Sequence, residues 1–533
     1  MDSLVRNLSP FFSGHYFWIK DATTMRSTPS LRASLSSTRS KKAKITVHHF
    51  AVIVFIVIVG AAVLQIRISQ QVHTANSIHA ADKTDLQAVK KALPQQPQEQ
   101  SLVRIQKSNE ADAIPALPTS EKITVAYVIS MIECTDNHQS GQSSIAGLRD
   151  AALVLAHSIH LVSQKSQLYD YKLYAIVHEQ AQACAPVLEK AGYTILVKKP
   201  PLRQDEIQDP YLRKTIHREV CCGADEFVKL YAYTIEDHPL VVHLDMDVVF
   251  QKPLDDVFTV MLHNTPSNRQ NILLEPKPQH WPDDDIQAMI TRDYHSTFPG
   301  RKAGFQAGFW ILKPNQTHFD RIVNLIKTTN YVEGMSPQNG WGGLGYGQFV
   351  GAKAMQGIIA YYYDQHVNGT WMELNNCRYN AVQAEVQRRG RCLNLQDTCE
   401  DCRTTPLEDI INFHYTACRK PWMCHATKWD MRLKKNNTYN RKYSIPTDIV
   451  IYEQCLAAQR VWHSVRRDLE TRLYELTQDE SLPKQQQGNY QKDFFLGHCS
   501  QDQKEGYLPL GGSMETLARI PELYRNDKRR TVE

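Results

Sequence analysis

The sequence predicts an α/β protein, with a mostly parallel central sheet covered by helices on both faces and one transmembrane helix before it. Three features carry that expectation. Strand-like and helix-like segments alternate from Ile123 onward, an apolar strand ends in the acid pair Asp245 and Asp247, and residues 45–67 form one long apolar run.

A hydrophobic fraction of 42% over 533 residues supports a folded body of one large or two modest domains with appendages. The formal charge of +5 is small, and Lys and Arg form no long stripe of the kind that neutralises a phosphate backbone. Nucleic acid is therefore not an expected partner. The run at 45–67 is close to the roughly 20 residues that cross a bilayer as a helix. Lys41, Lys42 and Lys44 precede it, whereas after Arg67 the next basic residue is Lys83, an asymmetry that keeps the N-terminus in the cytosol. Residues 1–44 read as a cytoplasmic tail, 45–67 as a retained signal anchor and 68–120, rich in Gln, Ala, Ser and Pro, as a stem. The expected protein is a single-pass type II protein of the Golgi or endoplasmic reticulum membrane with a lumenal body. Sequons at Asn315, Asn368 and Asn436 fit that placement.

The body follows in order. Ile123 to Ile132 (ITVAYVISMI) is β-rich, and Arg149 to Val162 spaces Leu153, Ala156 and Leu161 as a helix does. Tyr171 to Val177 reads as a strand, Ala181 to Ala191 as a helix and Tyr193 to Val197 as a strand. Phe227 to Ile235 reads as a helix leading into the strand Leu240 to Leu244. Such alternation implies parallel strands, whose ligands sit beyond the carboxyl ends. The body spans 121–444. A C-terminal helical extension, 445–533, contains a helix-like stretch from Ile449 to Leu476 that either packs on the body or binds an acceptor.

The stretch VVHLDMDVVF, Val241 to Phe250, places Asp245 and Asp247 two residues apart, so in extended chain their side chains share one side. Two ionised carboxylates held out of water repel one another unless a cation lies between them, and oxygen ligands suit magnesium or manganese. The simpler reading is a pair of turn caps. His243 reads as a packed core residue. The glycine-rich run Gly340 to Gly347 suggests either backbone approaching a ligand closely, with Gly345 at a donor, or a flexible loop.

Four segments in order resemble the glycogenin-like retaining glycosyltransferases (family 8, GT-A fold). Phe227-Val228-Lys229-Leu230 resembles that family's F-x-K-L segment. HLDMDVVF with Pro253 to Phe258 resembles its D-x-D passage, Phe305 to Pro314 (FQAGFWILKP) its "FNSGvfvlrPs", and His414 to Trp422 (HYTACRKPW) its "HFxGxxKPW". The match covers about 121 to 430. The resemblance implies a Rossmann-like GT-A domain that moves a sugar, with retained configuration, from a UDP-hexose or UDP-N-acetylhexosamine to a glycan or glycoconjugate. It implies manganese held by Asp245, Asp247 and His414, Lys420 at the phosphates, Lys229 and Gly308 at the donor, and Gln356 with Asp247 in catalysis.

Departures from the pattern sharpen the expectation. The family's Asp-Gln-Gly stands here as Met355-Gln356-Gly357, and methionine cannot accept a proton, so a catalytically weak or inactive module that binds a nucleotide sugar or scaffolds other enzymes is the alternative reading. Gln306-Ala307 replaces Asn-Ser, and Ala417 replaces Gly. Of twelve cysteines, six lie at Cys377, Cys392, Cys399, Cys402, Cys418 and Cys424, which in a lumenal body favours two or three disulfides over zinc.

Overall fold

Strand β1 (Ile123–Met131) shows the period-2 rule directly. Val125, Tyr127, Ile129 and Met131 enter one apolar layer, while Ala126 and Val128 enter another on the opposite face. A strand buried on both faces belongs in the middle of a layered α/β sheet. Each large aliphatic side chain removed from water there contributes roughly 1.5–3 kcal/mol.

The computed structural model describes residues 122–527, apart from 135–144, 220–222, 275–280, 283–284, 299–300, 335, 383–401, 426–444, 483–492 and 501–505. The strands after β1 are β2 (Tyr169–His178), β3 (Thr194–Lys198), β4 (Val241–Leu244), β5 (Val248–Phe250), β6 (Ala288–Arg292), β7 (Phe305–Leu312), β8 (Tyr331–Val332), β9 (Gly340–Trp341), β10 (Trp371–Glu373) and β11 (Asn412–His414). Seven of them form one sheet in the order β10-β6-β7-β4-β1-β2-β3. Neighbours pair in parallel except β7, which runs antiparallel to both β4 and β6. The fold is thus mixed α/β with a mostly parallel central sheet.

Helix α1 (Ile145–Ser163) lies on the first face, contributing Leu153, Leu155 and Ile159 to the core shared with β1. It is the one helix among the described residues that is long and apolar enough to cross a membrane, and it is largely buried in the body. The run at 45–67 lies outside the described residues. Helix α2 (Met355–Gln365) and the 3₁₀ helix Gly223–Thr234 cover the second face. Helix α3 (Ile445–Thr477) matches the helix expected in the C-terminal extension.

Two expectations need correction. The helix expected over Ala181 to Ala191 is broken into a 3₁₀ helix, Glu179–Cys184, and a short α-helix, Ala185–Lys190. Pro186 explains the restart, because a residue without an N–H fits the first turn of a helix but not its interior. The segment expected as a helix at Phe227 to Ile235 is 3₁₀, and starts four residues earlier at Gly223.

Candidate metal centre

The central strand β4, fully buried, ends at Leu244, and the chain turns through Asp245, Met246 and Asp247 into β5. The backbone N–H of Asp245 donates to Gly308 O on β7 (2.8 Å), which fixes the start of the turn to the sheet. β5 then pairs antiparallel with β11, setting His414 opposite Val248. The N–H of Tyr415 donates to the carbonyl of Asp247 (2.9 Å). An imidazole far along the chain is thereby delivered by backbone pairing to the edge of the acid pair.

His414 Nε2 lies 3.5 Å from Asp247 Oδ1 and 3.9 Å from Asp245 Oδ2, and one ligand atom from each of the three residues falls within 4.8 Å of the others. His414 Nδ1 is 2.9 Å from Asn380 Oδ1, an acceptor, so Nδ1 carries the proton and Nε2 turns its lone pair inward. The hydroxyl of Thr416 donates to that lone pair at 2.9 Å. Asn380 is itself held by Thr291 Oγ1 (2.9 Å) and has φ +56°, a conformation that asparagine tolerates better than most residues. Two carboxylates and an imidazole lone pair converging on one point, the imidazole oriented by an outer hydrogen bond, are a donor set that fits a hard divalent cation.

Two lysines flank the cluster. Lys229 Nζ donates to Asp245 Oδ1 (2.9 Å), Glu226 Oε1 (3.0 Å) and Ala307 O (3.3 Å), and the residue is 6% exposed. It is therefore a buried, fully partnered cation rather than a solvated helix charge. Burial opposes its charge, but Asp245 and Glu226 outweigh burial and hold the ammonium well above its usual range. Lys420 Nζ pairs with Asp247 Oδ2, and its side chain is 39% exposed. Burial pushes the Asp247 carboxyl up, but the Lys420 ammonium beside it more than reverses this and holds it well below its usual 3.8. Asp245, Asp247 and Glu226 against the two ammonium groups leave one net negative charge, with the imidazole neutral.

Gly308 shows why that position bears no side chain. A Cβ there would sit 2.4 Å from His414 Cε1 and 2.7 Å from Asp245 Oδ2, closer than real Cβ contacts come. The backbone N–H of Gly308 donates to Gln306 Oε1 (2.6 Å), so the Gln that replaces the expected Asn ties the strand down locally. His243 matches its reading as a core residue: it is wholly buried, stacks on Trp310 at 4.1 Å and bonds Ser130 Oγ at 2.8 Å.

The other expected site residues are placed differently. Gln356 is the second residue of α2, and its Nε2 donates to Val350 O (2.6 Å) and Asp293 Oδ2 (3.2 Å). Asp293 is buried, and burial raises its carboxyl despite hydrogen bonds from Ser296 and Gln356 and the nearby His414. Met355 is fully buried in the apolar layer with Trp341 and Ile358, so a charged side chain there would be costly. Gly340, at φ +75°, admits no Cβ because Tyr346 and Gly347 backbone lies within 2.4 Å of the place it would take, so this glycine serves the loop's own packing. The atoms nearest a Cβ on Gly345 belong to Pro337 and Lys302, which sets it outside the immediate acid cluster.

Glu226, Asn380 and Asp293 were not expected. For Glu226 a signal existed, since it stands three residues before Lys229 on one helix face. For Asn380 and Asp293 nothing local distinguishes them, because their partners are brought in by the sheet.

Four disulfides close among the described residues: Cys134–Cys184, Cys377–Cys402, Cys418–Cys455 and Cys424–Cys499. One joins two members of the expected cysteine cluster, and two run from it to the C-terminal extension. Cys392 and Cys399 lie outside the described residues.

No family model matches the chain, and no curated protein matches it by sequence. Among solved structures, mouse xyloside xylosyltransferase 1 is similar at 11% identity and a TM-score of 0.30, over 56% of this chain and 98% of that one. The galactosyltransferase LgtC, in complex with donor and acceptor sugar analogs, is similar at 12% and 0.30, over 58% and 93%. The glycosyltransferase GlyE of Streptococcus pneumoniae TIGR4 is similar at 13% and 0.30, over 65% and 63%. At these identities and TM-scores the likeness adds nothing to the geometry, and the reading that follows rests on the site.

Proposed function

We propose that the protein is a metal-dependent glycosyltransferase that moves a sugar from a nucleotide-sugar donor to a glycan or glycoconjugate acceptor, with retained configuration. The observation that supports it most is the convergence of Asp245, Asp247 and His414 at the carboxyl end of a central strand, with Lys420 at their open side. In this reading the three residues hold manganese or magnesium. The bound dication supplies charge neutralisation for a leaving diphosphate.

The chain's own groups do the rest. Lys420 is partly exposed and paired with Asp247; with a metal and donor bound it would meet the diphosphate, holding its charge in the bound donor as in the leaving group. Lys229 serves the donor site through Asp245, whose orientation it fixes. Gly308 keeps the approach of His414 and Asp245 open. Gln356, steadied by Asp293 and Val350, contacts the donor sugar with its amide. Gly345 lines the donor through the glycine loop. A retaining transfer on one face of the sugar draws the acceptor proton to the leaving phosphate and needs no protein nucleophile, so Met355 does not prevent it.

The disulfides support an oxidising, lumenal setting, as does Asn368, exposed within a sequon. A membrane anchor at 45–67 completes the proposed type II arrangement. Incubating the purified full chain with manganese, a panel of nucleotide sugars and a set of glycan acceptors tests the activity. Sugar on an acceptor is the expected outcome. Free sugar alone points to a hydrolase, and donor binding without turnover points to the inactive module that the buried Met355 favours.

A further inference from the structure

The segment from Tyr415 to Cys424 holds Lys420, yet its regular structure is one 3₁₀ turn, Pro421–Met423. Much of what fixes it comes from the C-terminal extension. Cys418–Cys455 and Cys424–Cys499 tether it on both sides of Lys420. Gln459 on α3, fully buried, donates to the carbonyl of Arg419, the residue before Lys420. The Tyr415 hydroxyl donates to Ala458 O (2.5 Å). Trp422 faces Trp462 at 6.0 Å between ring centroids and rests on bare backbone of α1, where a Cβ on Gly147 would come within 2.3 Å of its ring. A separate apolar cluster unites these pieces: Tyr415 and Trp422 from the segment, Ala151 and Val154 from α1, and Leu456, Trp462 and Phe495 from the extension.

We propose that the C-terminal extension is a positioning element of the donor site, with Cys455, Gln459 and Cys499 holding Lys420 where it meets the donor's diphosphate. The inference rests on the nucleotide-sugar reading above. A cationic side chain on a tethered segment loses less conformational freedom when the phosphates arrive, and so binds them more tightly. Because Lys420 touches the diphosphate both before and during the reaction, loosening it weakens binding more than it slows the bound complex.

The test uses two variants of the full chain, Cys418→Ser/Cys455→Ser and, separately, Gln459→Leu. Nucleotide affinity is measured by calorimetry with manganese and whichever of UDP, GDP and ADP the wild type binds best. The expected result is about fivefold to tenfold weaker nucleotide binding and an equal rise in donor KM, with kcat within about twofold. Amide exchange of residues 415–424 is expected to quicken. Cys134→Ser/Cys184→Ser, removing a disulfide elsewhere, is expected to lower Tm and leave nucleotide affinity unchanged, which separates positioning from general stability. If the double cysteine variant does not fold, Gln459→Leu carries the test alone. Wild-type nucleotide affinity in the folded variants overturns the positioning role and leaves the donor reading standing. A wild type that binds none of the three nucleotides overturns the donor reading and this proposal with it.

Discussion

The two halves of the candidate metal centre are built by different means. Asp245 and Asp247 continue a strand that is hydrogen-bonded on both sides, to β1 and to β7, so their place is set by the sheet itself. His414 and Lys420 come from a three-residue strand and an irregular segment, held by pairing to β5, by Asn380 and by disulfides to the extension. The acids are fixed by a strand paired on both sides, and the basic groups by a few specific ties. Acid-side changes should therefore act through charge, and base-side changes through geometry.

The largest effect should come from the acid half. Asp247→Asn keeps the shape and removes the charge, and is expected to cut metal-dependent turnover by ~10³-fold with Tm nearly unchanged. Turnover at the wild-type rate would remove Asp247 from the site. Next is the contact between the halves: Gly308→Ala drives a methyl toward both His414 and Asp245, and manganese affinity measured by titration should fall ~100-fold. Unchanged affinity would show that the two residues do not share a metal.

Within the base half, Asn380→Gly preserves the positive φ and deletes the acceptor for His414 Nδ1–H. Manganese affinity should then drop about 10-fold, the lower end for an outer hydrogen-bond partner. No change would mean that β11 alone orients the imidazole. The smallest effect is on stability against pH. The Asp247 carboxyl is depressed in the folded protein, so its contribution is present above the ordinary carboxylate range and is lost as pH falls below 3.8 toward the folded value. Without metal, Tm should fall by about 2 °C more between pH 6 and pH 3 in the wild type than in Asp247→Asn. Equal slopes would show that the Lys420 interaction adds nothing to folding.

Local pattern determined much of this protein in advance. β-rich runs marked β1, β2, β3 and β4, helix-like patterns marked α1 and α3, and an acid pair ending an apolar strand marked the candidate metal centre, because each is decided by residues a few positions apart. The resemblance of HYTACRKPW to a known motif named His414 and Lys420, but the chain between them and Asp247 carries no sign of their approach. Tertiary structure decided that β11 pairs with β5, that Lys229 is buried against Glu226 as well as Asp245, and that position 355 belongs to the apolar layer. It also decided the disulfide pairing that the sequence left open, carrying Cys418 to Cys455 and Cys424 to Cys499. The physical reason is that long-range closure depends on which surfaces meet once the sheet has formed, and no short window of sequence contains both surfaces.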